Sequence, residues 1–375
     1  MNSSVQSHRV AVVGAGIFGV STALHLARAG AQVTLITEST VASGASGRSL
    51  SWLNSARIRS AAYHALRMAG LDRYRTLAQQ QPDANWLRFD GGLTWDADDE
   101  RNEIAAVFKH EKAIGYDARL LRPEEIAAVT PGIDTSAVTP QGAIFNPAEG
   151  WVDLPSLIGL LLGEFKARGG TLLENAGQAS VNVANGRARG VRSALGDPIE
   201  ADSVLVATGA AVPALVAESG VRIPDATPIS LLVRTKPLNS PLKAVLNTPR
   251  VAVRPTLDGA LVLDSAWSEE EVEINPDGTY GVREETVKGL LHAASHVLEG
   301  NPELGLDGYG VGPKPIPADG EPVLGQLDSI PGYHVAFSHS GATLGLIVGE
   351  LLGQEILTGE PHPMLATFQP ARFVS

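Results

Sequence analysis

Three glycines in the run Gly14-Ala15-Gly16-Ile17-Phe18-Gly19 follow a valine-rich stretch, Val10 to Val13, and precede an apolar helical pattern. At this spacing the first glycine permits a tight turn off a strand, the second lets backbone N–H groups approach a pyrophosphate, and the third lets helix pack closely on strand. The helix that follows directs its positive end at the anion. Ser21 to Ala29 carries Ala23, Leu24, Leu26 and Ala27, Gly30 stops it, and Gln32 to Ile36 supplies the next strand, so Arg9 to Glu38 reads as a complete βαβ unit. In such units an acidic residue about 20 positions beyond the glycines accepts the ribose hydroxyls. Spacing puts Thr37 there, with Glu38 one residue later.

Further along, small residues from Val41 to Gly47 end in Arg48, with Trp52-Leu53-Asn54 close behind, a pattern suited to backbone pressed against a phosphate-bearing ligand. The apolar strand Ser203 to Ala207 runs into Thr208-Gly209-Ala210 and is expected beside the first βαβ unit. Near the C-terminus the strand Tyr333 to Phe337, the turn Ser338 to Ala342 and the helix Thr343 to Leu357 offer a second helix N-terminus after a glycine turn. Its positive end suits a reduced, anionic cofactor. His292 and His296 have a zinc-compatible spacing on an expected helix but no third ligand nearby, so no metal site is assigned.

The elements that must position these groups fall into two lobes, since 375 residues exceed what one core sustains. Helices are expected from Tyr63 to Gln80, Glu100 to Ile114 and Pro155 to Arg168. A strand broken by a glycine turn is expected over Arg88 to Trp95. From Thr227 to Ala266 apolar and polar residues alternate between prolines, which predicts an antiparallel sheet in a second lobe; Tyr309 to Gly325 is too proline-rich for a helix or a central strand. The net charge of −12 disfavours nucleic acid and anionic membranes as partners. The absence of cysteine removes disulfides, thiolate catalysis and a cysteinyl flavin link. No apolar run is long enough to span a membrane, and the first strand leaves no room for a leader, so a cytoplasmic protein is expected.

The blocks Val12 to Gly19, Ala45 to Arg48, Gly91-Gly92-Leu93, Gly150 to Asp153, Val206 to Ala210, Asp319 to Gly325 and His339 to Leu344, in this order, resemble the D-amino acid oxidase superfamily of FAD-dependent oxidoreductases. That superfamily includes glycine oxidase, sarcosine oxidase, dimethylglycine dehydrogenase and D-amino acid dehydrogenases. The resemblance covers nearly the whole chain. It implies an α/β fold, with a Rossmann-type FAD-binding domain (1–90, 145–222 and 309–375) and an antiparallel-sheet α+β substrate domain (91–144 and 223–308).

It further implies FAD contacts at Gly14, Gly16, Ile17, Phe18, Gly19, Thr37, Glu38, Ser43, Ala45, Ser46 and Arg48. Ala207, Thr208, Gly209, Ser340, Gly341, Ala342, Thr343 and Leu344 complete the set, with Gly341, Ala342 and Thr343 acting through backbone N–H groups. The implied reaction oxidises the C–N bond of an amino acid or secondary amine by hydride transfer from the α-carbon to flavin N5, giving an imine that hydrolyses. Arg48, His339 and Lys314 are the candidate catalytic polar groups, with Arg254 and Trp52 as further pocket candidates.

The chain departs from the pattern in three places. Thr37 replaces the acidic ribose residue, Lys314-Pro315 replaces Arg-Pro, and no lysine lies in Ser340 to Leu346, which favours a dehydrogenase over an oxidase. No histidine lies in Ser43 to Ala61, so FAD is expected to be non-covalent. Two alternatives keep the fold: a flavin-carrying subunit with partner subunits in a hetero-oligomeric dehydrogenase, and an NAD-dependent dehydrogenase.

Overall fold

The computed structural model describes residues 8–373. The chain forms two compact units, Met1–Gly47 with Leu154–Pro228 and Pro313–Ser375, and Arg48–Asp153 with Ile229–Gly312. The expected cofactor domain, 1–90, 145–222 and 309–375, differs from this division: 48–90, 145–153 and 309–312 fall in the second unit, and 223–228, expected in the substrate domain, in the first. Strand pairing supplies the reason: Trp52–Leu53 and Leu87–Arg88 both pair antiparallel with Gly150–Val152.

The first unit is built on a six-stranded sheet. Its order is Val323–Gln326, Tyr333–Phe337, Ser203–Val206, Arg9–Val13, Gln32–Ile36, Thr171–Leu173. All are parallel except Val323–Gln326, which runs antiparallel to Tyr333–Phe337. Val10 pairs with both Ser203 and Val33, so the glycine turn leaves the sheet between two neighbours. Sheet residues on one face pack with Val212, Val216 and Ile223, burying the apolar runs that parallel strands require.

On this sheet lie the helices Ile17–Arg28 and Gly341–Thr358. The first starts four residues before the expected Ser21, because Gly16 adopts an extended conformation and serves as N-cap. The second carries glycines at 341, 345, 349 and 353, one per turn on one stripe. A Cβ on Gly349 would fall inside the Ser21 side chain and 2.7 Å from the Ser21 backbone carbonyl carbon; one on Gly353 would lie 3.1 Å from His25 Cβ. The two helices therefore meet backbone to backbone. Gly341, at the start of the second, would place a Cβ 3.6 Å from Ile17 Cγ2 at the start of the first, so their N-termini come together.

The second unit holds an eight-stranded sheet, in the order Leu306–Pro313, Ile229–Thr235, Leu261–Asp264, Ala252–Pro255, Val245–Asn247, Gly92–Thr94, Ala143–Asn146, Arg119–Leu121. It is antiparallel as expected over Ile229 to Asp264, but Val245–Asn247 joins Gly92–Thr94 in parallel. Leu306–Pro313, which ends in a proline, takes an edge, where a missing N–H costs least. One face, through Leu231, Val233, Val253, Leu261 and Leu263, forms a core with Val287, Leu290 and Ala294 of the helix Glu284–Val297. No helix among the described residues is long and apolar enough to cross a membrane.

The glycine stripe generates two predictions of opposite sign. Gly349→Ala lowers stability by about 1–3 kcal/mol through overpacking, outweighing the roughly 1 kcal/mol that alanine gains in helix propensity. Gly159→Ala, on the exposed face of the helix Leu154–Ala167 with open space around the new methyl, raises stability by roughly 0.5–1 kcal/mol. Urea unfolding midpoints of the two variants, read against the parent, check both signs.

Candidate functional site

The carboxyl ends of the parallel strands are where open α/β sheets bind ligands. Gly14 there has φ +106°, and a Cβ on it would overlap the Ala207 carbonyl group, 2.7 Å from its carbon. Only glycine therefore lets the turn pass the end of Ser203–Val206. Backbone bonds lock the arrangement: Gly14 N–H donates to Ile36 O and Ala207 N–H to Val13 O, each at 2.8 Å. A Cβ on Gly19 would collide with the Gly14 carbonyl oxygen, which accounts for the third glycine of the motif.

Ser46 reaches this corner from the small-residue segment, where Ala45–Gly47 forms one 3-10 turn. Its Oγ accepts from Ile17 N–H at 3.1 Å and sits 3.2 Å from where a Cβ on Gly16 would be. Ala42 N–H donates to Ala15 O at 3.1 Å, tying the same segment to the glycine turn. Ser43 and Glu38 are exposed, while Thr37 is buried at the end of its strand, its N–H donating to Leu173 O.

Neither helix N-terminus carries an acidic residue in its first turn, and neither N-cap residue, Gly16 nor Ser340, caps with its side chain. Both positive ends are thus left uncompensated by side-chain charge. Thr208, whose N would lie 3.0 Å from a Cβ on Gly14, has its Oγ1 buried with no hydrogen-bond partner. An unpaired hydroxyl, two positive helix ends and a glycine-lined turn fit a bound dinucleotide. Ala207, Thr208 and Gly209, the glycine-turn residues, Ser46 and Ser340 to Leu344 all lie in this one unit.

The candidate polar groups come from both units. His339 is exposed at the turn before Ser340, and Lys314, half-buried, donates its backbone N–H to Pro228 O at 2.9 Å. Arg48 is the first residue of the second unit. Its side chain lies along the edge strand Leu306–Pro313, in the space that side chains at 310 and 312 would fill. A Cβ on Gly310 would stand 2.7 Å from Arg48 Cδ, and one on Gly312 would overlap the guanidinium. The alternation Gly310-Val311-Gly312 was the signal for that groove.

In the second unit, a buried polar network holds the segment Asn54 to Arg57. Arg67 donates to Asn54 O and Oδ1 at 2.8 Å, Tyr116 Oη accepts from Ser55 N–H at 2.9 Å, and Glu111 Oε1 accepts from Arg57 N–H at 2.8 Å. Tyr116 Oη donates to Glu149 Oε1. Glu149 is 0% exposed, and burial above all, with the charge of Glu111, pushes its carboxyl up to about 8. The sequence reading did not single out this network, whose members are spread from position 54 to 149.

The fold and the site define a dinucleotide-binding α/β protein. The family model for FAD dependent oxidoreductases, DAO, matches residues 9–355, and the chain belongs to that family. It is an FAD-dependent oxidoreductase. A glycine oxidase of Pseudomonas aeruginosa is 26% identical over 380 aligned positions, covering 97% of this chain and 99% of that protein. The fold matches the crystal structures of glycine oxidase from Geobacillus kaustophilus (TM-score 0.81, 21% identity, 98% of this chain and 100% of that one) and of L-proline dehydrogenase from P. horikoshii (TM-score 0.83, 22% identity, 98% of each). The NAD reading of the glycine turn is not favoured by these likenesses.

The raised pKa of Glu149 carries a pH prediction. Because its folded value, about 8, exceeds that of an unfolded glutamate, its contribution to stability is complete in acid and is lost as pH rises through about 8. Glu149→Gln keeps an acceptor for Tyr116 and removes this slope. Its melting temperature relative to the parent therefore climbs between pH 5 and 9, and parallel pH profiles of the two proteins would contradict the assignment.

Proposed function

We propose that the protein oxidises the C–N bond of an amino acid or secondary amine, giving an imine that water hydrolyses. The observation that carries the reading is the end-to-end match to a named glycine oxidase, which spans both units rather than the cofactor unit alone. When bound, FAD supplies the acceptor for a hydride from the substrate α-carbon.

The glycine turn Gly14 to Gly19 and the end of the helix Ile17–Arg28 balance the pyrophosphate, with Ser46 fixing the neighbouring segment. Thr37 and Glu38 serve the adenosine end, and Ala207, Thr208 and Gly209 close the sheet edge against the cofactor. The backbone of Ser340 to Leu344, at the positive end of Gly341–Thr358, stabilises negative charge that builds up on reduction. Ser43 and Ala45 line the same segment. Arg48, Lys314 and His339 supply polar contacts for the substrate, and Lys314 offers a point charge where a guanidinium would offer a fork. No strong general base is required when a neutral amine is held in a dry pocket.

Without a histidine from Ser43 to Ala61 or any cysteine in the chain, we read FAD as non-covalent; without a lysine from Ser340 to Leu346, we favour a dehydrogenase. The test is the visible spectrum of the purified protein under anaerobic titration with D-amino acids, N-methylated amino acids, cyclic imino acids and opine-like secondary amines. Bleaching by one class, with flavin released on acid precipitation, supports the reading. A yellow protein bleached by none of them overturns it in favour of a flavin-carrying subunit that needs partners.

A further inference from the structure

The chain leaves the first unit after Pro228 and re-enters it at Pro313, and within that unit the two passages run side by side. Prolines at 313, 315 and 317 leave N–H groups only on the residues that follow each of them, and all three of those turn to the segment 224–228. Lys314 N–H donates to Pro228 O at 2.9 Å, Ile316 N–H to Thr227 Oγ1 at 3.3 Å and Ala318 N–H to Pro224 O at 3.1 Å. Ala226 N–H returns a bond to Ile316 O at 2.8 Å. The result is a stiff strap with donors on one edge only. Pro315 and Pro317 are buried, and a Cβ on Gly209 would stand 4.0 Å from Pro315 Cγ, so the strap lies against the Thr208-Gly209 turn.

The far end of the strap is clamped. Asp319 accepts from Arg372 through both oxygens, Nε to Oδ2 at 2.8 Å and Nη2 to Oδ1 at 3.2 Å, and Nη2 also donates to Glu321 O at 3.0 Å. Nη1 donates to Phe368 O at 2.9 Å, tying the guanidinium to its own segment. Phe373 covers the guanidinium, its ring centroid 4.4 Å from Cζ, and 20% of the arginine side chain stays exposed. Burial works against the charge of Asp319, but the bonds from Arg372 and from the Glu321 amide outweigh it and hold the carboxyl below its ordinary range.

The segment that carries Arg372 is itself firmly docked. The turns Pro363–Phe368 and Pro370–Phe373 bury Leu365, Phe368 and Pro370, and the Gln369 side chain fills the space beside Gly325. Gln369 Nε2 donates at 3.2 Å to Glu355 Oε2, and the other oxygen of this buried carboxyl accepts from Gln326 N–H at 3.0 Å. These contacts suffice to dock the segment. The planar fork of Arg372 serves Asp319 and Glu321 instead, at the end of the strap.

We propose that Arg372 is a positioning residue for the cofactor site: it grips the end of the strap, keeps Pro315 against Gly209, and so makes the C-terminal turns a latch that slows FAD release. The proposal rests on the reading that Ala207, Thr208 and Gly209 border FAD. Prolines hold the strap extended, so a constraint at Asp319 acts on Pro315 four residues away. The turn that opens the block Asp319 to Gly325 is the handle of the latch.

The test follows flavin fluorescence as FAD leaves the diluted holoenzyme. Arg372→Gln and Asp319→Asn each speed release by about three- to tenfold, as suits a bidentate pair partly shielded from water. The double variant releases FAD no faster than either alone, because both changes remove one contact, and Arg372→Lys keeps part of the retention. Arg28→Gln, which breaks the Arg28–Glu164 ion pair elsewhere in the unit, lowers the melting temperature comparably and leaves release unchanged. By reciprocity, FAD bound to the parent slows carboxypeptidase trimming of its C-terminus.

Unchanged release from flavin-loaded Arg372→Gln and Asp319→Asn overturns the proposal, and so does equal acceleration by Arg28→Gln, which would reduce the effect to general stability. If neither latch variant folds, the parent decides: trimming at a rate indifferent to FAD overturns the latch. Thr208→Val separates the latch from the reading beneath it. Faster release from Thr208→Val with no change in the Arg372 variants sinks the latch alone; the converse upholds the latch and sinks the reading of the 207–209 edge.

Discussion

The close approach of the helices Ile17–Arg28 and Gly341–Thr358 is the contact on which the cofactor unit depends. Side chains normally keep helix axes 8–10 Å apart. Here Gly349 and Gly353 meet Ser21 and His25 directly, so the helices start side by side rather than a side chain apart. Two helix ends from opposite ends of the chain thereby present their N–H groups together. The parallel sheet beneath adds the constraint that both helices follow strands, Arg9–Val13 and Tyr333–Phe337, whose carboxyl ends lie at the same edge. Gly14 and Ala207 then close that edge at a distance only a glycine allows.

The second unit separates two tasks by the alternation of its strands. Val253, Leu261 and Leu263 build an apolar core against the helix Glu284–Val297, and the even positions of the two strands face the other way with Arg254 and Asp264 among them. Stability is carried by the first face. The second is free to hold a charge that no core would tolerate, and the polar network around Glu149, Tyr116 and Glu111 shows that this unit buries other ionisable groups as well.

Much of the cofactor unit was legible because its signals are local. The glycine motif, the strand Ser203–Val206 and the strand–turn–helix from Tyr333 each lie within a short stretch, and glycines with positive φ leave their mark in the residue type itself. The order of the blocks then made the family recognisable. What was not legible depends on convergence. Arg48 in the groove of Gly310 and Gly312, Arg254 over Trp151, and Glu149 under Tyr116 each join positions far apart in the chain. The unit boundary at Gly47 was missed for the same reason, since it is set by Trp52–Leu53 pairing with Gly150–Val152. The four-residue glycine spacing of the last helix was readable, but its meaning needs the partner helix.

The central claim is that the positive end of Gly341–Thr358 stabilises the reduced flavin. Ala342 lies in the first turn of that helix, where no acidic residue stands, so the most direct measurement is the flavin midpoint potential of Ala342→Asp. A carboxylate there cancels part of the helix field, an effect of about 0.3–1 kcal/mol, so the expected potential is more negative by roughly 6–20 mV for a two-electron couple. An unchanged or more positive potential, in a variant that still binds FAD, would contradict it.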